Sequence, residues 1–428
     1  MRYIKKTIII FASIILCIAM ISCTEKQAQK QKPEQPEEPT EKPINYTEAM
    51  TDMKMEYSDY INYRQYLVNA NKKMTEDKEL SVLFFGGSLT EGHGATDKMK
   101  YSWRGRTCDW FEKNFPDVNF TFHNKAVGES GTFLGTYRLK IDVIDVAPDV
   151  IFLEYSINDR YFASSYDDAF MRCETIVREI KEALPKTDII MLITTDADCM
   201  KENQQGKLHT QGQAHEDVAK AYDISTLHVG MLLANKCEYS SETFRNKYAI
   251  DVVHLNDEGY GIYFDCVSEY LENSLKNTDF SKVKESKQEY PMVGKVLFDG
   301  NRSYIQPSQA VLDASTELGG TGVTFTDKNY SPKSALKGVF GMSDGDVLAF
   351  SFTGTEVAMW CSLVNGEYLV SIDGGEFVSK STTQHNPAVI ASNLASKEHI
   401  IKIKVANSDS EFSIGSIFIR DASLATKK

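Results

Sequence analysis

The sequence predicts an α/β fold with a parallel sheet, followed by an all-β fold of antiparallel strands. Up to about residue 278, short runs of Val, Ile, Leu and Phe alternate with amphipathic helical patterns, which is typical of a parallel sheet covered on both faces. After about residue 290, short alternating strands separated by Gly, Asn, Asp and Ser favour a sandwich or jelly roll. The length of 428 residues suits two folded units.

Each element of the first part follows from its pattern of apolar residues. A polar-aromatic segment with helical character, 46–78, comes first. Apolar runs then predict strands at 80–85, 118–124, 149–156 and 188–195. Apolar residues spaced three and four apart predict helices at 103–115, 136–146 and 167–184, a helical stretch within 213–235, and a last helix from about 256 to 275. The regular alternation of the two element types makes a parallel sheet the expected arrangement.

In the second part, five runs predict strands: DVLAFSFTG, EVAMWCSLV, EYLVSIDGG, HIIKIKVAN and FSIGSIFIR. Trp360, Tyr368 and Phe377 lie in or beside these runs. Aromatic side chains of this kind can stack on sugar rings, which would make the domain a glycan-binding module. Aromatic residues in alternating strands are more often core residues, and a passive sandwich is the alternative.

The first 23 residues predict export. Arg2, Lys5 and Lys6 precede an apolar stretch, and small residues then lead to Cys23, which is the pattern of a secretory signal. The ending AMISC resembles the lipobox of bacterial lipoproteins, which implies that Cys23 becomes the lipidated first residue. A plain transmembrane anchor and an ordinary signal peptide are the alternatives. We therefore expect a protein anchored by lipid alone in a bacterial membrane, at the outer membrane or the cell surface.

The remaining chain divides into a tether and two domains. Residues 24–45 are rich in proline, glutamine and charge and contain almost no apolar groups, so we expect an extended, disordered tether. The two predicted domains then span 46–278 and 290–428, joined by the charged connector KVKESKQEYP.

Charge and cysteine content exclude several kinds of partner. The formal net charge is -13, and loss of the three positive charges of the signal leaves about -16. This balance argues against a nucleic-acid partner and disfavours anionic lipid. The cysteines beyond Cys23 are scattered and form no C-x-x-C pair, so buried free thiols are expected, with no zinc site.

The stretch VLFFGGSLTEGHG, residues 82–94, ends a predicted strand in two glycines followed by Ser88. A phosphate-binding loop is disfavoured because His93 stands where that motif needs lysine. An α/β-hydrolase elbow needs glycine two residues either side of the serine, and Thr90 does not meet this requirement. A nucleophilic serine at the carboxyl end of a parallel strand fits the pattern. A plain structural turn is the alternative.

Other segments supply the groups that a nucleophilic serine needs. His254 is the one histidine with an aspartate three residues earlier, Asp251, and this spacing before a helix can bring the two side chains together. An acyl-transfer site also needs donors for the developing oxyanion. The turn NKAVGESG offers exposed backbone amides, and Asn158 in SIND offers a side-chain amide, although Asn158 can equally be a helix cap.

These four segments, in this order, resemble the SGNH (GDSL-type) hydrolase superfamily over about residues 60 to 275. The resemblance includes WRGR, RLKIDVI and FLEYSIND. It departs from the family at two places. Gly87 replaces the aspartate of the namesake motif, and Glu129 lies where the oxyanion glycine usually stands, with Gly128 just before it.

The resemblance implies a flavodoxin-like three-layer α/β/α domain without metal or organic cofactor. It implies that Ser88 is the nucleophile, His254 the base and Asp251 its orienting carboxylate. The implied oxyanion hole consists of the backbone amide of Ser88, an amide at Gly128 or Glu129, and the side chain of Asn158.

A β-sandwich attached to such a domain is common among carbohydrate esterases of this superfamily. The sequence thus predicts a serine esterase that removes acyl groups, chiefly acetyl, from acylated polysaccharide or oligosaccharide. A lipase or lysophospholipase of the same clan is the first alternative. An inactive glycan-binding lipoprotein is the second, but it has no physical need of serine, histidine and aspartate together.

Overall fold

The structure is a computed structural model that describes most of the chain from Met50 to Arg420. The described residues are 50, 52–283, 292–294, 302–305, 318–319, 324–329, 337–342, 347–362, 367–381, 388–406 and 412–420. The predicted signal, Cys23 and the tether lie outside the described residues.

The first part of the chain contains a six-stranded sheet with the order β1-β6-β5-β4-β2-β3. Its strands are β1 Ile61–Asn62, β2 Glu79–Gly86, β3 Asn119–Asn124, β4 Val150–Glu154, β5 Asp188–Leu192 and β6 Ser225–Leu227. Strands β2 to β6 pair in parallel, whereas β1 pairs antiparallel with β6. The predicted parallel sheet is confirmed, with the difference that this two-residue edge strand makes the sheet mixed.

Both faces of this sheet are buried, as the continuous apolar runs predict. In β2, Val82 and Phe84 enter one hydrophobic cluster, while Leu83 and Phe85 enter another on the opposite face. Strands β4 and β5 divide their side chains between the same two clusters. Because successive side chains of a strand point to opposite faces, helices must cover both sides of the sheet.

Helices pack on both faces of the sheet. The longer ones are Trp103–Asn114, Thr132–Leu139, Tyr166–Ala183, Thr210–Ala221, Val229–Lys236 and Asp257–Leu271. Those at 103–114, 229–236 and 257–271 contribute to one cluster, and those at 166–183 and 210–221 to the other. This confirms the predicted three-layer arrangement.

One prediction of local structure was wrong in detail, and two segments contain more elements than their patterns indicated. The helical pattern within 213–235 belongs to two helices with strand β6 between them. The described part of the segment 46–78, predicted to have helical character, holds β1 and a short helix, Val68–Lys72, followed by a π-helix. The helix predicted to start at 136 starts at Thr132, whose backbone amide and hydroxyl both donate to the buried carboxylate of Asp159.

The second part of the chain consists of antiparallel strands in two sheets. Its strands are β7 Arg302–Ile305, β8 Leu318–Gly319, β9 Thr324–Asn329, β10 Lys337–Met342, β11 Val347–Gly354, β12 Glu356–Ser362, β13 Glu367–Ile372, β14 Val378–Ser381, β15 Ala388–Ala391, β16 Lys397–Ala406 and β17 Phe412–Arg420. One sheet has the order β14-β13-β16-β11-β8, and the other the order β15-β12-β17-β10-β9 with β7 also on β17.

The two sheets face each other across a common core. The core side chains come from both sheets and are Leu348, Phe350, Phe352, Val357, Met359, Tyr368, Val370, Ala388, Ile390, Ile401, Ile403, Ile417 and Ile419. The predicted sandwich is therefore confirmed. The five predicted strands correspond to β11, β12, β13, β16 and β17.

The aromatic residues considered for sugar stacking are mostly unavailable. Trp360 and Tyr368 are fully buried, so the interpretation that they stack on glycan rings is wrong for both. Tyr368 lies between the two sheets, and Trp360 packs against the α/β part of the chain. Only Phe377 of the three is exposed.

Alternate residues of β12 and β17 point away from the core of the sandwich. Ala358, Trp360 and Phe418 join a separate cluster with Val127, Leu134 and Tyr137 of the α/β part. The hydroxyl of Tyr137 also donates to the carboxylate of Glu356. The outer face of one sandwich sheet thus packs on the helix Thr132–Leu139 and on the loop before it.

Within the described ranges, no helix is long and apolar enough to span a bilayer. In the same residues, no group of three or more His, Cys, Asp or Glu side chains could hold a metal ion. Five cysteines are buried free thiols, as expected: Cys108, Cys173, Cys199, Cys237 and Cys266.

Candidate active site

Ser88 lies directly after the carboxyl end of β2. The strand ends at Gly86, and after Gly87 the chain enters the short helix Ser88–Glu91. Both glycines are required by close packing: a Cβ on Gly86 would collide with the carbonyl oxygen of Glu154, and one on Gly87 with the side chain of Asn158. The turn therefore presents Ser88 at the edge of the sheet, with 7% of the residue exposed.

The predicted serine, histidine and aspartate form one hydrogen-bonded chain. The Oγ of Ser88 lies 2.8 Å from Nε2 of His254, and Nδ1 of the same ring lies 2.7 Å from Oδ2 of Asp251. The structure thus brings all three predicted residues together. This is the geometry in which an imidazole can take the serine proton while a carboxylate holds the ring in place.

The aspartate is itself fixed by its own loop. Oδ1 of Asp251 accepts hydrogen bonds from the backbone amides of Val253 and His254, at 2.8 and 2.7 Å. Partial burial tends to raise the pKa of Asp251, but these hydrogen bonds and the imidazole together hold the pKa below its ordinary value. The carboxylate is therefore ionised wherever the histidine needs a negative partner.

Asn158 approaches Ser88 from the neighbouring strand. It lies in the helix Ser156–Phe162, which follows β4, and its side chain packs on Gly87. The residue is 8% exposed, and its buried Oδ1 has no hydrogen-bond partner in the part of the chain that the structure describes. The side-chain amide therefore lies beside the serine turn, where its nitrogen can donate to an oxygen placed next to Ser88.

The predicted second-block residues, Gly128 and Glu129, follow β3. The amide of Val127 donates to the carbonyl of Gly86 at 3.0 Å, which joins this loop to the serine turn. Gly128 is buried, while Glu129 is exposed and has a φ of 60°. This left-handed conformation favours glycine, so Glu129 adopts the backbone that the family glycine would adopt.

Strand order explains why these segments meet. Strand β2 lies between β3 and β4, and parallel strands place their carboxyl ends at one edge of the sheet. Below this edge, the buried carboxyl of Glu154 accepts hydrogen bonds from the hydroxyls of Thr90 and Thr194, at 2.8 and 3.0 Å. The threonine at 90 belongs to the Ser88 helix, so the network ties the serine turn to the adjoining strands.

Sequence reasoning missed two features beside the triad. The ring of His93, five residues after the serine, packs edge-to-face on the ring of His254, with centroids 4.4 Å apart. In the helix that carries Asn158, Arg160 and Tyr161 both bind the buried carboxylate of Asp196. The signal available in the sequence was proximity: Arg160 and Tyr161 follow Asn158 directly, and His93 belongs to the glycine-rich turn.

Residues 84–262 match the model of the GDSL-like lipase/acylhydrolase family. The chain contains a GDSL-like hydrolase domain. The matched range includes Ser88, Asn158 and His254, and the prediction of an ester-hydrolysing enzyme of SGNH type is confirmed. A search of curated proteins finds no match to the chain.

Solved structures resemble the whole two-part chain. The crystal structure of a two-domain esterase active on acetylated mannans aligns with 85% of this chain and 98% of its own, with a TM-score of 0.67 and 18% identity. The same esterase co-crystallised with mannopentaose aligns over the same shares, with a TM-score of 0.66 and 18% identity. An acetylxylan esterase from Geobacillus stearothermophilus aligns with 46% of this chain and 94% of its own, at a TM-score of 0.38 and 17% identity, and adds nothing to the assignment. The likeness to the first two shows that the GDSL-like domain and the sandwich form a known two-domain fold.

Proposed function

We propose that this chain is a carbohydrate esterase that removes acetyl groups through an acyl-enzyme. The observation that carries the proposal is the hydrogen-bonded chain from Ser88 through His254 to Asp251 within a GDSL-like hydrolase domain. Ser88 is assigned as nucleophile, His254 as general base and acid, and Asp251 as the carboxylate that orients the imidazole.

The assigned roles account for both halves of the proposed reaction. The Oγ of Ser88 attacks the ester carbonyl carbon, and its proton passes to Nε2 of His254. Asp251 accepts the Nδ1 hydrogen bond and stabilises the imidazolium that results. His254 then returns the proton to the departing sugar oxygen, which leaves acetyl on the serine. Water, deprotonated by His254, attacks the acetyl-enzyme, and acetate leaves while the serine regains its proton.

Three donors are assigned to the oxyanion. They are the backbone amide of Ser88, the side-chain amide of Asn158, and a backbone amide at Gly128 or Glu129. Hydrogen bonds join the segments that carry them: the amide of Val127 donates to the carbonyl of Gly86 at 3.0 Å, and the amide of Gly87 donates to the carbonyl of Glu154 at 3.2 Å. Donors fixed before the substrate arrives stabilise the charge that develops on the carbonyl oxygen, because they need no rearrangement during the reaction.

The substrate class is proposed from the architecture and the charge. The two-domain esterase with the same fold acts on acetylated mannans, and the present chain aligns with nearly all of it. A net charge of -13 disfavours work at an anionic lipid surface. Acetylated mannan is therefore the first substrate to test.

We also propose that the enzyme is exported and held at a bacterial membrane by lipid on Cys23. The basic, apolar and small-residue regions of the first 23 residues support this. Cys23→Ala should release or misprocess the protein. Recovery of the variant in the membrane fraction with residues 1–22 still attached would favour a plain transmembrane anchor instead.

The test of function is acetate release. Wild-type enzyme should liberate acetate from one or more acetylated polysaccharides and hydrolyse aryl acetate faster than aryl esters longer than butyrate. Ser88→Ala should lower both rates by on the order of 10³ or more with an unchanged melting temperature. Turnover of palmitoyl esters or phospholipid that equals or exceeds turnover of the acetyl esters would contradict the carbohydrate esterase assignment and indicate a lipase. Substantial activity in the serine variant would overturn the nucleophile.

A further inference from the structure

We infer that Arg160 and Tyr161 form a sugar-binding wall of the active site, against which the sugar ring bearing the ester lies. This inference rests on the proposed carbohydrate substrate. It assigns recognition of the sugar to the hydrolase domain itself, to two consecutive residues of the helix that carries Asn158.

Both side chains are held rigidly by one buried carboxylate. Oδ2 of Asp196 accepts hydrogen bonds from the hydroxyl of Tyr161 at 2.6 Å and from Nη1 of Arg160 at 2.7 Å. The other oxygen of Asp196 accepts from two backbone amides of its own loop, at 2.9 and 3.0 Å. Asp196 is fully buried. A binding surface fixed in this way loses little conformational entropy when a ligand arrives.

Two connections link the tyrosine ring to the segments that carry the proposed catalytic residues. Tyr161 follows Asn158 by three residues in one helix, so the two side chains project from neighbouring positions of the same helix face. The far end of the ring binds Asp196, and the next residue, Ala197, donates its amide to the carbonyl of Val252 at 2.9 Å. Val252 lies in the loop between Asp251 and His254. The ring is therefore attached at one end to the helix that carries Asn158 and at the other end to a loop that is hydrogen-bonded to the triad loop.

The chemistry of the wall suits a sugar. Tyr161 is 45% exposed although its hydroxyl is satisfied, so an apolar ring face remains open. The guanidinium of Arg160 lies 5.4 Å from the centre of that ring, and its side chain is 29% exposed. A flat apolar face beside exposed N–H donors matches the C–H face and the hydroxyls of a pyranose. An acyl chain would gain nothing from the guanidinium.

The experiment compares two substrates in matched variants. Tyr161→Ala removes the ring, whereas Tyr161→Phe keeps it and removes only the hydroxyl, with its hydrogen bonds to Asp196 and Arg160. Tyr166→Phe is the control. Tyr166 begins the next helix along the chain, and its hydroxyl donates a similar hydrogen bond, 2.7 Å long, to the carboxylate of Asp217. The KM and kcat of each variant are measured with acetylated manno-oligosaccharide and with 4-nitrophenyl acetate. Binding of the oligosaccharide to Ser88→Ala and to Ser88→Ala/Tyr161→Ala is measured by calorimetry.

The specificity ratio is kcat/KM for the oligosaccharide divided by kcat/KM for aryl acetate. We expect Tyr161→Ala to lower this ratio by about tenfold, as expected for loss of one aromatic contact. The loss should arise from a higher KM for the oligosaccharide. Tyr161→Phe should recover most of the ratio, and Tyr166→Phe should not change it. An equal loss on both substrates would show a structural role and overturn the inference. An unchanged ratio of the kcat/KM values, together with unchanged oligosaccharide binding, would also overturn the inference. Failure of the wild type to release acetate from any oligosaccharide, with aryl acetate still hydrolysed, would instead overturn the proposed function.

Discussion

The backbone of Gly87 and the side chain of Asn158 occupy adjoining space, with no room for even a methyl group between them. A Cβ built on Gly87 would lie 2.6 Å from Cγ of Asn158, closer than side chains approach. The glycine that replaces the aspartate of the family motif therefore belongs to the same packing unit as the proposed oxyanion donor.

Gly87→Ala should consequently act through Asn158. The methyl group must displace the amide, so we expect kcat to fall by roughly 10–10³ with little change in KM, approaching the effect of Asn158→Ala. The double variant should be no slower than Asn158→Ala alone, because both changes remove one donor. Steady-state kinetics of the three variants with aryl acetate would test this.

Gly261→Ala is the matched control. Gly261 lies in the helix Asp257–Leu271, and a Cβ there meets only a guanidinium nitrogen at 3.9 Å. This variant should keep full activity and gain about 0.5–1 kcal/mol of stability from helix propensity. Full additivity of the Gly87 and Asn158 effects would show that the glycine acts through something other than the amide.

The second prediction concerns Glu129. Its left-handed backbone is strained for a residue with a side chain, and its side chain is exposed. Gly128 and Glu129 lie in the oxyanion loop, the loop after β3 that is proposed to supply one oxyanion donor. If this loop contributes only a backbone amide, Glu129→Gly should preserve kcat within about threefold and change stability by no more than about 1 kcal/mol. Kinetics and thermal unfolding would measure both. A large loss of kcat with native stability would assign a role to the carboxylate.

The main elements of this fold could be predicted because their patterns extend over many residues. The apolar runs of β2, β4 and β5 are buried on both faces, and unbroken runs of this length between helical patterns are typical of central parallel strands. Strands β1 and β6 have two and three residues, which is too short for any periodicity. Their pairing is fixed instead by tertiary contacts, such as the 2.7 Å hydrogen bond from the amide of His228 to the carbonyl of Tyr60.

The same reasoning applies to the candidate site. We could predict Ser88, Asp251 and His254 because a nucleophilic serine requires a histidine base and a carboxylate that orients the histidine. This requirement holds however far apart the three residues lie along the chain. The exposed ring of Tyr161 could not, since its position depends on Asp196, which comes 35 residues later. Burial of Trp360 was also inaccessible to sequence reasoning, because its strand buries both faces, one of them against the helix Thr132–Leu139.

The third prediction concerns the contact between the sandwich and the oxyanion loop. Phe418 packs on Tyr137, with ring centroids 5.5 Å apart, in the cluster that also contains Val127. Val127 directly precedes Gly128. Phe418→Ala should therefore loosen the loop that supplies one oxyanion donor, and we expect kcat to fall by roughly tenfold, with a loss of about 3–5 kcal/mol of stability.

Ile417→Ala provides the comparison for this contact. Its side chain is equally buried but faces the core of the sandwich, so it should cost about 2–5 kcal/mol of stability without lowering kcat. Both variants are assayed well below their melting temperatures. Equal kcat values in the two variants would show that the sandwich does not support the loop.

The last prediction concerns Glu154, which lies fully buried beneath the serine turn. Burial raises the pKa of Glu154, and the hydrogen bonds from Thr90 and Thr194 only partly oppose that shift. A carboxyl whose pKa is raised by folding stabilises the protein fully below its unfolded pKa, and this contribution is lost as the pH rises through its folded pKa. Glu154→Gln has nearly the same shape, can bond both threonines and carries no charge.

Thermal unfolding of the wild type and Glu154→Gln should therefore diverge with pH. We expect the variant to gain melting temperature relative to the wild type as the pH rises from about 5 to about 8, while kcat changes by less than about threefold because the serine turn keeps its support. Glu154→Ala leaves both threonine hydroxyls without their partner and should lose about 2–4 kcal/mol of stability at every pH. A constant difference in melting temperature between the wild type and Glu154→Gln would show that Glu154 carries the same charge in the folded and unfolded states over this range, and that folding does not raise its pKa.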